Sequence, residues 1–329
     1  MMNHTMIARW ALALVVGLGL VGCSDDEGPQ NSPIIIDEDV VQQGDNAQQN
    51  DLSQADTDEA QTDADPIAEQ PFGGERPARV LLPEQYSEDR SWPLVMLLHG
   101  YTATGAVQDS YLGVSAQRNS YGFVTVIPDG KKDASGRQFW NATDFCCDFG
   151  RTGVDDVAYL GALIEEAKQR YNIDASRVYL IGHSNGGFMS YRLACELGDQ
   201  ITAIASLAGT TFLDDAKCTG SDPVAVLQIH GTLDATIAYD GAANQYPGAE
   251  PTVASWVERN GCAPDGAAGE ALDLVGALAG AETDVTTWTG CDGGTSVALW
   301  KINSGGHIPI FQGGFMPAVL DFLMDHQKP

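Results

Sequence analysis

The chain has 329 residues and a formal net charge of −28, from 45 acidic and 17 basic residues. Such an excess of carboxylates argues against nucleic acid and against an anionic membrane surface as partners. The length admits one large domain or two ordinary ones.

The first stretch, "MMNHTMIARWALALVVGLGLVGC", has a weakly basic start at Arg9, an apolar run to Val21 and small residues ending in Cys23. This is a signal peptide in form, too short and wrongly flanked for a membrane-spanning helix. Leu-Val-Gly before Cys23 resembles a bacterial lipobox. Residues 1–22 then read as a lipoprotein signal peptide, cleaved so that Cys23 carries the lipid. An ordinary secretory signal with a chance cysteine is the alternative. Either way the mature protein leaves the cytoplasm, with a lipid on Cys23 as its membrane contact on the first reading.

Residues 23–72 read as an acidic, disordered tether. Fourteen acidic residues lie between 24 and 70, with no Lys or Arg. Such a segment cannot bury enough apolar surface to offset the entropy of ordering it. Its "DTDEAQTDAD" lacks the glycine and carboxylate spacing of a calcium loop. Residues 71–329 hold 31 acidic and 16 basic side chains and stay near −15, which favours a neutral substrate.

From residue 73 to 329 the pattern is that of one folded domain. Apolar runs at 93–100, 123–130, 177–184 and 224–231 each end at a glycine or polar turn. Continuous rather than alternating hydrophobicity indicates strands buried on both faces, as in a parallel sheet. Helical patterns at 153–172 and 185–198 lie between them. The first places Val157, Leu160, Ile164 and Ala167 on one face, acids in its first turn, and Lys168 and Arg170 near its end. Strands alternating with helices predict an α/β fold with a mostly parallel central sheet. Residues 241–296, rich in Gly and Ala, read as an insertion before a last strand at 297–302.

Six cysteines follow Cys23, an even number that suits three disulfides in an exported domain. Cys262–Cys291 is the pair expected across the insertion. Cys146 and Cys147 are expected to bridge outward to Cys195 and Cys218; a 146–147 bridge with 195–218 is the alternative. No Cys/His set has zinc-ligand spacing, so no metal is expected.

"LIGHSNGGFMS" holds the chemistry. Gly182, Ser184 and Gly186 fit G-x-S-x-G, a nucleophile elbow between a strand and a helix. Asp234 follows the strand at 224–229, and His307 follows the strand at 297–302. Loops after parallel strands open on one sheet edge, so the three side chains should converge there. His307 would take the Ser184 proton, and Asp234 would orient the imidazole. Asp240 or Asp214 could replace Asp234. His326 lies near the terminus, while His99, His183 and His230 read as loop-shaping hydrogen-bonders. An oxyanion hole needs two backbone N–H groups, expected from Asn185 and Tyr101. Tyr101, Trp140, Tyr239 and Phe311 are the aromatic candidates for the substrate pocket.

"PLVMLLHG", "RVYLIGHSNGGFMSYRLACE", "VLQIHGTLD", "NGC…GC" and "GGH", in this order over residues 75–310, resemble the secreted polyhydroxybutyrate depolymerase-like esterases. That group includes feruloyl and acetylxylan esterases. The resemblance implies an α/β-hydrolase fold and a cofactor-free serine esterase built on Ser184, Asp234 and His307. "HGYTATG" departs from many depolymerase relatives in lacking a Cys after His-Gly. "GGHIPIFQGG" lacks the Trp-Pro that commonly follows GGH. The expected substrate is polyhydroxybutyrate or its oligomers, with feruloyl or acetyl esters on plant polysaccharide as the alternative. A catalytically dead surface-binding module is the reading of another class. The chain is expected to act as a monomer.

Overall fold

The computed structural model describes residues 71–329; the signal segment, Cys23 and the acidic stretch up to residue 70 lie outside the described residues. Packed structure starts slightly before the expected boundary at 73. Phe72 is buried, with its ring 6.2 Å from that of Tyr171, and the Gly73 N–H donates to Glu166 at 2.9 Å.

Nine strands form one sheet: β1 (Arg79–Leu81), β2 (Trp92–Leu98), β3 (Val124–Ile127), β4 (Ile173–His183), β5 (Ala203–Leu207), β6 (Ala225–Gly231), β7 (Ala267–Ala268), β8 (Thr283–Trp288) and β9 (Val297–Ile302). Their spatial order is β1-β3-β2-β4-β5-β6-β9-β8-β7. The run from β3 to β9 is parallel, with β1 and β8 added antiparallel on either side. This is the mostly parallel α/β sheet expected from the alternation of strands and helices, in the α/β-hydrolase arrangement that the resemblance implies.

The longer helices are α1 (Gly105–Leu112), α2 (Asp156–Arg170), α3 (Asn185–Glu196), α4 (Ala249–Arg259) and α5 (Phe315–Met324). Successive strand residues point to opposite sheet faces. Leu94, Met96 and Leu98 accordingly pack in one core with residues of α2, α3 and α4, while Val95 and Leu97 pack in the other with α1 and α5. All seven residues of β2 are buried. Each large apolar side chain so covered contributes about 1.5–3 kcal/mol.

From β2 the chain first moves to β3 on one side, then returns to β4 on the other. The loops after β2 and β4 therefore diverge and leave a crevice at their carboxyl ends, the usual ligand position in an open α/β sheet. The segment before β9 contains α4, β7 and β8 and is closed by Cys262–Cys291.

The remaining disulfides are Cys146–Cys147 and Cys195–Cys218, not the outward bridges expected from Cys146 and Cys147. The length of α3 explains the correction. Cys146 Sγ sits 3.4 Å from Asn185 Nδ2 at the start of that helix, whereas Cys195 lies ten residues on, near its end. Ten residues of helix rise about 15 Å, and a disulfide tolerates Cα atoms only about 7 Å apart.

Candidate active site

Ser184 closes β4 and caps α3 with φ 55° and ψ −119°, a strained backbone for a residue with a side chain. The flanking glycines are required by space. A Cβ on Gly182 would run into the Gly186 carbonyl, and one on Gly186 into that of Leu98. The turn is fastened by the Ser184 N–H, which donates to Leu207 on β5 at 2.8 Å.

The loops after β6 and β9 bring Asp234 and His307 to this turn. His307 Nε2 lies 3.0 Å from Ser184 Oγ, and its Nδ1 lies 2.7 Å from Asp234 Oδ2. Asp234 is buried, and its Oδ1 accepts from the N–H groups of Thr236 (2.8 Å) and Ile237 (2.9 Å). Burial alone would raise its carboxyl. Hydrogen bonds from His230, His307 and Ile237, with the adjacent His307 charge, outweigh that and hold it well below the usual carboxylate range. An ionised acid, an imidazole and a hydroxyl in line can activate the hydroxyl as a nucleophile. Asp240 and Asp214, the substitutes considered for the acid, are not in this line; Asp214 instead caps a turn through Ala216 N–H at 3.1 Å.

Gly100 and Tyr101, in the loop after β2, line the same cleft as Ser184. The N–H groups of Gly100, Thr102 and Ala103 are engaged by Gln108 Oε1, the Gln138 carbonyl and the Gly100 carbonyl. Those of Tyr101 and Asn185 have no acceptor among the described residues, which leaves both for a developing oxyanion. His99 shapes this loop: its Nε2 accepts from the Gly130 N–H (2.8 Å), so its Nδ1–H donates to the Gly100 carbonyl (2.8 Å). Burial keeps that ring neutral.

The cleft has a volume of about 460 Å³ and is lined by Tyr101, Thr102, Ala103, Val107, Tyr111, Thr236 and Ile308, with Gln108 and His183 at its base. Of the aromatics expected there, Tyr101 alone takes part. Trp140 is fully buried behind the loop, donating from Nε1 to the His99 carbonyl (3.0 Å), while its backbone pairs with the Asn185 side chain. Tyr239 is buried too; it donates to Glu250 (3.1 Å) and presents its ring to His230. Phe311 stacks on Phe315 at 3.5 Å, in the α5 core. These rings follow strand ends as expected, yet Trp140 and Tyr239 are buried with their polar atoms taken by protein groups, and Phe311 packs half-buried on Phe315. Val107, Gln108 and Tyr111 escaped sequence reasoning, although Tyr111 follows Val107 by four and Gln108 by three on a helix directly after the β2 loop, which marks one face turned to the crevice.

A parallel sheet with a strained serine elbow, an imidazole and a buried acid at its carboxyl edge defines an α/β-hydrolase with a serine-hydrolase site. The chain belongs to the phospholipase/carboxylesterase family, which it matches over residues 85–249, half of its length. It is 28% identical over 239 residues to feruloyl esterase B of Piromyces equi, a match covering 69% of this chain and 42% of that protein. It is 26% identical over 226 residues to the bifunctional acetylxylan esterase/xylanase XynS20E of Neocallimastix patriciarum, covering 66% and 29%. The chain thus spans less than half the length of each of these two relatives. Among solved structures, the acetyl xylan esterase from Aspergillus awamori superposes with a TM-score of 0.56 at 13% identity, covering 75% of this chain and 93% of that one, a likeness of fold.

Proposed function

We propose that the chain is an exported serine carboxylic-ester hydrolase acting on esters carried by plant polysaccharide, of the feruloyl or acetyl kind. The observation that carries the chemistry is the Ser184–His307–Asp234 line, at 3.0 and 2.7 Å, ending on a strained elbow. Ser184 Oγ attacks the acyl carbonyl while His307 Nε2 takes its proton. The N–H groups of Tyr101 and Asn185 receive the oxyanion. His307 then returns the proton to the departing alkoxide, leaving an acyl-enzyme. Water, deprotonated by the same ring, releases the acid.

The names of the two relatives support the polysaccharide-ester reading. So does the cleft, whose two tyrosines and apolar walls carry no charged side chain and suit an uncharged, flat acyl group. Three disulfides fit an oxidising compartment. We retain the lipid on Cys23 and the acidic tether as parts of this reading, and a monomer, because one chain supplies every group the reaction uses.

A second reading, hydrolysis of a polyester such as polyhydroxybutyrate, draws on the rim. Among the described residues the exposed large apolar side chains are Val107, Phe149, Leu213, Leu233, Ile308 and Ile310, each 52–73% exposed. They follow the carboxyl ends of β2, β3, β5, β6 and β9, so all stand on the catalytic edge. Such a rim suits an apolar, water-insoluble substrate.

The test incubates the full chain with methyl ferulate, acetylated xylan and amorphous polyhydroxybutyrate, with Ser184→Ala as control. Ferulate or acetate release confined to the wild type supports the first reading. Release of 3-hydroxybutyrate alone replaces it with the second. Failure of Ser184 to label with a fluorophosphonate would overturn both in favour of a binding module.

A further inference from the structure

A line of buried polar side chains runs behind Asp234, on the side away from Ser184. Gln228 and His230 sit two residues apart on β6, so they share a sheet face, and both are fully buried. The Tyr191 hydroxyl of α3, seven residues after Ser184, donates to Gln228 Oε1 at 2.7 Å. Gln228 Nε2 lies 2.8 Å from the Gly209 carbonyl and 3.1 Å from His230 Nδ1. A carbonyl can only accept, so the amide orientation is settled, and Gln228 also donates to His230 Nδ1. The proton of the neutral His230 ring then lies on Nε2. That N–H meets the Ile237 carbonyl at 2.8 Å and Asp234 Oδ2 at 3.4 Å.

We propose that His230, with its proton placed by Gln228, is a positioning residue: it holds Asp234 Oδ2 in line with His307 and divides the carboxylate charge between two rings. This rests on the serine-hydrolase reading above. The main-chain grip on Oδ1 by Thr236 and Ile237 sets where the carboxylate sits, whereas His230 sets how much of its charge His307 feels. His183 also faces His307, ring to ring at 5.0 Å, with Tyr111 beyond it. Tyr239 faces His230 edge-on, and Glu250 and Lys301 lie next to Tyr239. None of these three reaches Asp234 with a hydrogen bond.

In His230→Leu, Asp234 keeps its backbone donors while Oδ2 serves His307 alone. The imidazolium gains the undivided charge, so the acid limb of kcat/KM should move up by about half a pH unit or more. Lost alignment should lower kcat about tenfold, with KM unchanged. Gln at 230 carries an amide N–H at the reach of Nε2 and should restore both; Asn at 230 carries it at the reach of Nδ1 and should not. Gln228→Met should move the limb in the same direction by less.

The experiment takes pH profiles of 4-nitrophenyl acetate hydrolysis by the full chain and its variants, with the His307 titration followed in parallel by histidine NMR. The NMR arm needs no turnover. If His307 shifts upward in His230→Leu and returns in His230→Gln, the positioning role stands, even if the ester reading were to fail on activity. If both variants titrate as wild type and differ only in folded fraction, the role is overturned. Should His230→Leu not fold, the Gln, Asn and Gln228→Met variants decide in the same way.

Discussion

His183, the residue before Ser184, donates from Nε2 to the backbone carbonyl of His307 at 3.0 Å. The elbow thus holds the main chain of the very residue whose ring faces its hydroxyl, so β4 and the loop after β9 are fastened at the site itself. Burial, and after it the neighbouring His307, push His183 down to about 4. The ring is therefore neutral at pH 7.

That depressed value carries a pH prediction. The unfolded chain binds a proton at His183 near pH 6.5, and the folded chain only near 4, so stability is lost as pH falls from about 6.5 to 4. The loss is on the order of 3 kcal/mol. Thermal melts across this range should show it, and His183→Gln should flatten the fall.

Gly186→Ala should damage fold and activity together. The added Cβ meets the Leu98 carbonyl, backbone that cannot swing aside. A cost of about 3 kcal/mol and loss of fluorophosphonate labelling are expected. An unchanged melting temperature would contradict the packing described here.

Asp234→Asn should keep the fold and lower kcat by up to about 10⁴-fold, because the amide favours the wrong imidazole tautomer. Steady-state kinetics at pH 7 to 8 would measure it. A loss below tenfold would mean that another acid serves His307.

Tyr111→Ala and Trp140→Phe should behave differently. Tyr111 lines the cleft and holds the His307 loop through Pro309, so its loss should raise KM for aromatic acyl esters. Trp140→Phe removes the donor to the His99 carbonyl behind the oxyanion loop. It should lower stability by about 1–3 kcal/mol and kcat with it, leaving KM alone.

Removing Cys195–Cys218 by paired alanines opens a loop with a sequence separation of 23 and should cost about 3 kcal/mol. The cost should vanish in reductant, where the wild type melts like the variant.

The α/β class, the elbow, and Asp234 and His307 after their strands were legible because each is a local pattern: an apolar run, a glycine spacing, a loop following a strand. Residues 203–207 were passed over as a strand although the run "AIASL" is wholly buried. Cys262 and Cys291 pair as expected, whereas Cys146 and Cys147 take the alternative pairing, because nothing in their spacing records that α3 separates Cys146 from Cys195.

What the sequence determined by itself is the set of groups available to the chemistry and the sheet edge at which they gather, since the strands and the loops that follow them are marked by the hydrophobic pattern and loops after parallel strands open on one edge. Which groups touch was decided by tertiary packing. Trp140 and Tyr239 went to the interior, where the His99 carbonyl and Glu250 take their polar atoms, Phe311 packs half-buried on Phe315, and Tyr111 lines the cleft from α1. The same holds for Gln228 and His230. Their alternation on β6 is plain in the chain, but their role depends on a tyrosine from α3 and a carbonyl from beyond β5, brought within hydrogen-bond distance only when the sheet closes around them.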